Sequence, residues 1–291
     1  MNGLVLEGGA MRGLFTAGVL DAWYDSGIRF DGIIGVSAGA CFGCNFKSHQ
    51  PGRVIRYNKR LAKDPRYCSL ASLFRTGDLF GADFAYHELP KRIDPFNARR
   101  FESDPTAFYC VMTDCETGKP FYRQLKKADD SAFEWIRASA SMPIVSRSVE
   151  IEGGRYLDGG LSDAIPLKYF ETLGYLRNVV VTTRPEGYRK ASSWKTRLAR
   201  PLLSTLPKIY EALETRHLRY NETLDYIKER EKDWAAFVVR PEKPLPIGRI
   251  CHNPDTMQKV YDIGLATGHK ALNDLKYFLN RRFALDYPRG K

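Results

Sequence analysis

The sequence predicts an α/β fold built around a mainly parallel β-sheet. Two apolar runs, residues 3–6 and 33–36, are each followed by a glycine-rich turn and then by a segment with helical spacing of apolar residues. This alternation of strand, turn and helix is typical of parallel strands joined by crossover helices. Hydrophobic residues make up 43% of the 291 positions and aromatic residues 12%, which is enough to bury a core and excludes a disordered polycation.

The elements are predicted in order along the chain. The first helix places its larger apolar residues on one face, namely Phe15, Val19, Ala22 and Trp23, and Gly27 ends it. Residues 51–100 are expected to form short helices and loops over one end of the sheet. A turn is predicted at 117–120, a helix near 131–140, and an amphipathic helix with a basic tail in the last forty residues. Further strands are predicted at 108–112, 148–152, 155–157, 179–181 and 236–239, the second and third joined by a Gly153-Gly154 hairpin turn.

The chain is expected to form one domain over residues 1–291. No internal repeat and no low-complexity linker divides it. Within this domain the motifs lie in a core of about residues 1–185, and about residues 186–291 form a basic, helical C-terminal part.

The positive charge allows two kinds of partner, nucleic acid or anionic membrane. Lys and Arg exceed Asp and Glu by 11. The excess is absent from residues 1–50 and gathers in 51–100, in 184–208 and at the C-terminus. Because no helix-turn-helix, zinc-finger or RNP-like pattern is present, we expect no nucleic-acid partner. Residues 184–208, where aromatic and leucine side chains alternate with seven basic ones, are expected to contact anionic membrane.

The compartment follows from three negative signals. The longest early stretch without charge, residues 32–46, is too short and glycine-rich to cross a bilayer. No leader precedes the first strand, and six cysteines in a chain of this length do not suggest a secreted disulfide framework. We therefore expect a cytoplasmic protein, peripheral at the inner membrane surface, whose oligomeric state is left open.

Residues 35–39, Gly-Val-Ser-Ala-Gly, fit the G-x-S-x-G nucleophile elbow. A serine on a sharp strand-to-helix turn needs small neighbours, here Gly35 and Gly39, and the following helix directs its N-terminal amides towards the serine. Ser37 is therefore a candidate nucleophile. The alternative is a glycine-rich turn with an incidental serine.

The first glycine-rich loop has two interpretations. Gly8, Ala10 and Gly13 nearly fit the G-x-G-x-x-G dinucleotide fingerprint, but the middle glycine is alanine. Asp31, at the distance expected of a ribose-binding acid, precedes the second strand instead of ending it. The other interpretation is an oxyanion hole beside the elbow, formed by the amides of this loop.

A serine nucleophile also needs a base. Asp158, followed by Gly159 and Gly160, could approach Ser37 without bulky neighbours, although Asp-Gly turns are common. A histidine triad is formally possible, because three histidines follow Asp158: His217, His252 and His269. None of the three has a small-residue loop around it, and His217 lies in what is predicted to be an exposed helix face.

Together these pieces resemble the patatin-like phospholipase family. The resemblance runs from residue 4 to about 185 and includes two further segments, Ala-Ser-Ala-Ser-Met-Pro at 138–143 and Thr113-Asp114 before Thr117-Gly118. It implies a three-layer α/β/α fold and a Ser37–Asp158 dyad that uses no histidine. The loop residues implied to form the oxyanion hole and substrate contacts are Gly8, Gly9, Ala10, Met11, Arg12 and Gly13. The implied role of Arg12 is to hold this loop or to add positive charge.

One departure from the family pattern concerns Ala10, where the loop often has a third glycine. A methyl group disfavours positive φ and crowds the substrate. We expect the oxyanion hole to remain, because the Ala10 amide is still present. We also expect the acyl selectivity of the site to be altered.

The predicted activity is hydrolysis of fatty acyl esters in phospholipids or related lipids, with no cofactor and no metal. Two alternatives stay open: a non-catalytic nucleotide- or nucleic-acid-binding α/β protein, and a Ser-Asp-His esterase. Cys41 and Cys44 form C-x-x-C within the helix after the elbow, where their spacing favours small core residues over a redox pair.

Overall fold

The computed structural model describes residues 1–280, apart from the side chains of Leu70 and Lys195. In this part of the chain eight strands form one sheet. They are β1 (Asn2–Leu6), β2 (Gly32–Val36), β3 (Ala107–Asp114), β4 (Pro120–Gln124), β5 (Val149–Ile151), β6 (Gly154–Asp158), β7 (Arg177–Val181) and β8 (Ala236–Val239).

The hydrogen-bonded path through the sheet runs β5-β6-β3-β2-β1-β7-β8, with β4 also paired to β3. β1 lies between β2 and β7, and the pairs that connect β3, β2, β1, β7 and β8 are all parallel. β4 and β6 are antiparallel to β3, and β5 is antiparallel to β6. The prediction of a mainly parallel central sheet is confirmed.

The register along β3 brings the ends of two other strands together. Val36 of β2 pairs with Val111, and Asp158 of β6 pairs with Met112. Val111 and Met112 both pair with β4 as well, so β2 and β6 must share the opposite edge of β3. The last residues of β2 and β6 therefore meet on that edge.

Helices cover both faces of the sheet. The α-helices are α1 (Gly13–Tyr24), α2 (Ala38–Lys47), α3 (Arg53–Leu61), α4 (Leu70–Thr76), α5 (Ala98–Ser103), α6 (Asp130–Ala140), α7 (Leu167–Thr172), α8 (Lys195–Leu198), α9 (Pro207–Lys232) and α10 (Pro254–Asn280). A π-helix spans Phe84–Ile93, and short 3₁₀ turns span Ala10–Arg12, Gly159–Leu161 and Pro201–Leu203.

Alternate strand residues belong to two separate hydrophobic clusters. Leu4, Leu6 and Ile33 pack with residues of α1, α2 and α10. Val5 and Ile34 pack on the other face, with residues of α7 and α9. Side chains alternate between the faces of a strand, so this partition shows a sheet between two helical layers. The three-layer α/β/α fold is confirmed.

The structure differs from the predicted elements at α1 and β4. Ten residues of α1 are buried, whereas one apolar face was predicted, because α10 covers the side that faces away from the sheet. The helices approach closely at Gly18, where a Cβ would lie 2.1 Å from the Tyr261 carbonyl oxygen. β4 was not predicted, since only the turn before it gave a signal. The basic tail lies outside the described residues.

Candidate active site

Ser37 lies between the end of β2 and the start of α2, in the geometry that the elbow pattern predicts. Its backbone has φ 54 and ψ −122, a conformation that is rare for any residue other than glycine. The flanking chain is tightly packed. A Cβ on Gly35 would lie 2.6 Å from the Gly39 carbonyl oxygen, and one on Gly39 would lie 2.4 Å from the Leu6 carbonyl oxygen. Both glycines are therefore required by close backbone contacts.

The segment 138–143 holds this turn in place. The Ser37 amide donates to Ser139 Oγ at 2.9 Å, and the Ser139 hydroxyl donates to the Val111 carbonyl oxygen at 2.6 Å. The Asp158 amide donates to the Ser141 carbonyl oxygen at 2.7 Å. One short segment thus fixes the backbone of both candidate catalytic residues. The sequence showed the segment but not this positioning role.

Asp158 lies at the end of β6, near enough to the side chain of Ser37 for that hydroxyl to lower the pKa of its carboxyl. Its Oδ1 also accepts the Gly160 amide at 2.7 Å. The residue is buried, and a Cβ on Gly159 would lie 2.2 Å from the Val111 carbonyl oxygen, so the turn after Asp158 needs glycine. Ser37 and Asp158 lie 121 positions apart, and the β3 register joins them.

Burial raises the pKa of the Asp158 carboxyl above its ordinary value. Four influences lower this pKa: the positive charge of Arg216, which is the largest, then the Ser37 side chain, the hydrogen bond from the Gly160 amide and the positive charge of Arg249. A carboxylate with a raised pKa is a better proton acceptor than an exposed aspartate.

The loop Gly8–Gly13 lies against the serine, since a Cβ on Gly8 would be 3.2 Å from Ser37 Cβ. Four of its amides have protein acceptors, namely those of Gly8, Met11, Arg12 and Gly13. Within the described part of the chain, the amides of Gly9 and Ala10 donate no hydrogen bond. These two groups are available to a ligand oxygen.

A cavity of about 120 Å³ opens beside Ser37. Ala10 and Met11 form part of its wall, and α2, α6 and the π-helix supply most of the rest. Cys41 and Cys44 also line it, and burial raises the pKa of each thiol to about 12, so both are neutral. The sequence did not predict this cavity, because its lining comes from elements far apart in the chain.

Residues 4–171 match the patatin-like phospholipase family. This match spans more than half of the 291 residues and contains Ser37, Asp158 and the Gly8–Gly13 loop. The chain belongs to the patatin-like phospholipase family. Membership supports a lipid-hydrolase function. Residues 206–280, which include α9, β8 and α10, match a domain of unknown function, DUF6363.

The chain is also similar to several individual proteins. The chain is 29% identical over 283 residues to the uncharacterized protein YjjU of Escherichia coli, covering 95% of this chain and 76% of that protein. It is 25% identical over 297 residues to lysophospholipase nte1 of Aspergillus oryzae, covering 94% of this chain but only 18% of that protein. VipD of Legionella pneumophila is a similar solved structure, with TM-score 0.46, 12% identity, and coverage of 94% of this chain and 67% of VipD.

Ala10 departs from the glycine common at this place in the family loop. It has φ 49, so the loop keeps the left-handed conformation although the methyl group disfavours it. This conformation costs an ordinary residue roughly 1–2 kcal/mol. The methyl group also faces the cavity. The sequence predicted both the crowding and the unfavourable φ, and the structure shows that the backbone adopts that φ nevertheless.

Glu7 directly precedes the loop Gly8–Gly13 and holds its start in place; no pattern in the sequence singled it out. It is buried at the end of β1, and one carboxylate oxygen accepts the Thr183 amide at 2.5 Å and the Thr183 hydroxyl at 3.0 Å. Its other oxygen accepts the Tyr220 hydroxyl at 2.5 Å. Buried polar groups without such partners are costly, so this network fixes β1, β7 and α9 around the loop.

The structure places the alternative candidate residues away from Ser37. No histidine lines the cavity among the described residues. His49, His87 and His252 have partners elsewhere, and His217 contacts the Glu214 carbonyl oxygen in its own helix. Asp31 precedes β2, at the opposite end of the strand from Ser37, where it accepts the Asn2 amide.

The face of α9 that carries His217 is only partly exposed. Leu218 is exposed, but Arg216 and Arg219 are half-buried. The prediction of an exposed face over 214–219 is therefore wrong in part, because these arginines extend over the turn that follows Asp158. Arg219 donates to the Leu161 carbonyl oxygen at 2.9 Å.

The described residues contain neither a metal-binding cluster nor a helix that could span a membrane. No group of three or more His, Cys, Asp or Glu side chains among the described residues could hold a metal ion. Within residues 1–280, no helix combines the length and apolar character needed to cross a bilayer.

Proposed function

We propose that the protein is a serine acyl-ester hydrolase of phospholipase A or lysophospholipase type that uses Ser37 and Asp158 as a catalytic dyad. The observation that carries this proposal is the proximity of the Ser37 side chain to the buried Asp158 carboxyl, beside two amides without protein acceptors. Nucleophile, base and oxyanion donors are the minimum set for acyl transfer.

In the first half of the reaction Asp158 accepts the hydroxyl proton as Ser37 Oγ attacks the ester carbonyl carbon. The Gly9 and Ala10 amides donate to the oxygen that gains negative charge. The carbon–oxygen bond to the leaving alcohol then breaks, and Asp158 returns the proton to that alcohol. An acyl-serine ester remains.

In the second half a water molecule attacks the acyl-serine while Asp158 accepts its proton. Collapse releases the fatty acid and returns the proton to Ser37. The same carboxylate serves twice, and its raised pKa suits a base that must also act as an acid. The cavity beside Ser37 accommodates the apolar acyl chain, since its walls include Phe42, Leu89 and Phe133.

The experiment compares the wild type with Ser37→Ala on a panel of phospholipids, lysophospholipids and neutral esters, with mass spectrometry of the released fatty acids. We expect hydrolysis to fall to background in Ser37→Ala. Ser193→Ala, an exposed serine outside the cavity, is the matched control. Unchanged hydrolysis by Ser37→Ala would refute the proposal.

A second set of variants distinguishes the dyad from a histidine triad. Separate alanine replacements of His217, His252 and His269 are expected to leave hydrolysis within about twofold of the wild type, because none of these side chains lines the cavity. Loss of activity in one of them, with its melting temperature preserved, favours the triad.

The same proposal includes peripheral binding of a cytoplasmic enzyme to anionic membrane through residues 184–208. Trp194, Leu198 and Leu202, spaced four residues apart, are 70%, 61% and 67% exposed. Ala199 and Leu203 anchor the segment in a cluster with Leu157 and other residues next to the Asp158 turn. Apolar side chains among basic ones suit an anionic bilayer surface near the site.

Liposome co-sedimentation tests this part of the proposal. We expect binding to vesicles with anionic lipid, weaker binding at high salt, and reduced binding when Trp194, Leu198 and Leu202 are all changed to serine. Tyr277→Ser, which removes an exposed aromatic from α10, is the control. Binding that ignores both salt and anionic lipid contradicts the proposal.

A further inference from the structure

Five basic side chains gather around Glu7 and Asp158. Their charges act on one another and on the two carboxylates, as the mutual effects on their pKa values show. They form what we call the cationic cluster, which consists of Arg12, Arg184, Lys190, Arg216 and Arg249. Apart from Arg12, all of them lie beyond the stretch that matches the family.

The cationic cluster has more positive charge than its surroundings balance. Five cations face two carboxylates, and Glu7 is already engaged by Thr183 and Tyr220. Burial, then the like charge of Arg216, lowers the pKa of Lys190 to about 7. Burial also lowers the pKa of the Arg216 guanidinium. A bound anion would reduce the electrostatic repulsion among these positive charges.

The donors of the cluster have no oxygen acceptors in the described part of the chain, although Lys190 Nζ lies 4.2 Å from the centroid of the Tyr220 ring and Arg184 Cζ lies 4.5 Å from that of Tyr188. Within the described part of the chain, none of the five side chains forms a hydrogen bond or an ion pair closer than 4 Å, and the Nε atoms of Arg12 and Arg216 are buried without a partner. The Nε atoms of Arg137, Arg219 and Arg230 are also buried without a partner, but the guanidinium groups of these three arginines form other hydrogen bonds. Arg53 and Arg56 both bind Asp94. Buried donors without acceptors are costly, which indicates that a ligand completes this site.

The cluster surrounds the proposed oxyanion loop. Arg12 ends that loop, and the Met11 amide donates to the Arg249 carbonyl oxygen at 3.4 Å. A Cβ on Gly160 would lie 3.0 Å from Arg216 Nη2. None of the five side chains lines the acyl cavity, and Arg249 is exposed, so the cluster is open to solvent.

We propose that the cationic cluster binds the phosphate of a phosphate-bearing lipid headgroup. The inference rests on the proposed function and names its substrate class. With the ester at Ser37 and the acyl chain in the cavity, the remaining part of a glycerolipid extends from the oxyanion loop towards these cations. Guanidinium groups match phosphate oxygens in pairs, and lysine adds a point charge.

Binding is measured by calorimetry in the Ser37→Ala background, which separates this inference from the proposed function. The probes are a short-chain lysophosphatidylcholine and a monoacylglycerol of the same chain, both below their micelle concentrations. We expect Lys190→Gln and Arg249→Gln each to weaken lysophospholipid binding about tenfold, with a smaller effect on the neutral lipid. Arg66→Gln is the matched control, because Arg66 is exposed and pairs with Asp64.

Inorganic phosphate is the second probe and separates a headgroup from a free anion. In the Ser37→Ala protein with the cluster intact, we expect phosphate to compete with the lysophospholipid and not with the monoacylglycerol. Phosphate binding that leaves lysophospholipid affinity unchanged would show a site for free phosphate and overturn the inference. Equal loss of both lipids in Lys190→Gln and Arg249→Gln would also overturn it. Hydrolysis that survives in Ser37→Ala refutes the dyad instead and leaves these binding results valid.

Discussion

Two regions meet at Ser37, and different parts of the chain build them. The cavity is lined by residues between Ala10 and Ser146, all within the stretch that matches the family. Four of the five residues of the cationic cluster lie between 184 and 249, beyond that stretch. The first region is largely apolar, and the second is charged and reaches solvent.

The difference suggests a division of labour. The family part carries the proposed reacting groups and the cavity proposed for an acyl chain. The C-terminal part contributes β8 to the sheet, α10 to one helical layer, and most of the cluster proposed to bind the polar end of a substrate. Variants that affect one region, both regions or neither can test this division.

The largest effect is expected where the regions meet, at Asp158. Asp158→Asn removes the base and should lower kcat/KM by about 100- to 10,000-fold on phospholipid and neutral ester alike. Burial raises the pKa of Asp158, so the folded protein binds the proton more strongly than the unfolded chain does. The free energy of unfolding therefore falls as the pH rises from the ordinary pKa of an aspartate through the raised pKa of folded Asp158. The melting temperature of Asp158→Asn at pH 7 should therefore not fall.

The next effect concerns the cavity alone. Ala85→Phe adds a ring to its wall on the π-helix and should reduce hydrolysis of long-chain esters about tenfold relative to short-chain esters, measured as a ratio of kcat/KM values. Headgroup preference should stay unchanged. Ala71→Phe, on the exposed side of α4, is the control. An equal loss for all chain lengths would contradict the placement of the acyl chain.

A third prediction uses the contact between the regions. Arg216 lowers the pKa of Asp158, so Arg216→Gln should raise that pKa further. Activity requires the ionised base, and the acidic limb of the kcat/KM profile should therefore move to higher pH on a neutral ester. Arg197→Gln, which replaces an arginine of α8, is the control and should leave the acidic limb unchanged. A limb that does not move would mean that Asp158 is not the titrating base.

The smallest effect is expected at Ala10, in the loop between the regions. Ala10→Gly relieves the left-handed strain but adds flexibility to the unfolded chain. The free energy of unfolding should rise by no more than about 1 kcal/mol, as measured by denaturant titration. A clear loss of stability would show that the methyl contacts in the cavity outweigh the strain.

The sequence predicted most of the fold because local patterns specify it. Apolar runs before glycine turns located β1, β2 and β3, and Gly153-Gly154 located the β5–β6 hairpin. β4 was not predicted, since its five residues, four half-exposed and one exposed, have no clear alternation. The burial of α1 on all sides depends on α10, which lies more than 230 residues later in the chain.

The residues of the candidate site likewise fall into those that the sequence could predict and those that it could not. Ser37, Asp158 and the glycines around them have motifs, so the sequence could place them. Glu7 and Arg216 have none, because a buried carboxylate after a strand and an arginine on a long helix become informative only once the chain is folded. The contact between residues 37 and 158 depends on the β3 register, which no local pattern encodes.

The most direct test of the central claim is covalent labelling with a fluorophosphonate probe, followed by peptide mass spectrometry. The serine oxygen displaces fluoride from phosphorus, so the label marks an activated serine. We predict one adduct, on the peptide that contains Ser37, lost in Ser37→Ala and formed much more slowly in Asp158→Asn. Labelling of another residue, or labelling that persists in Ser37→Ala, would contradict the account.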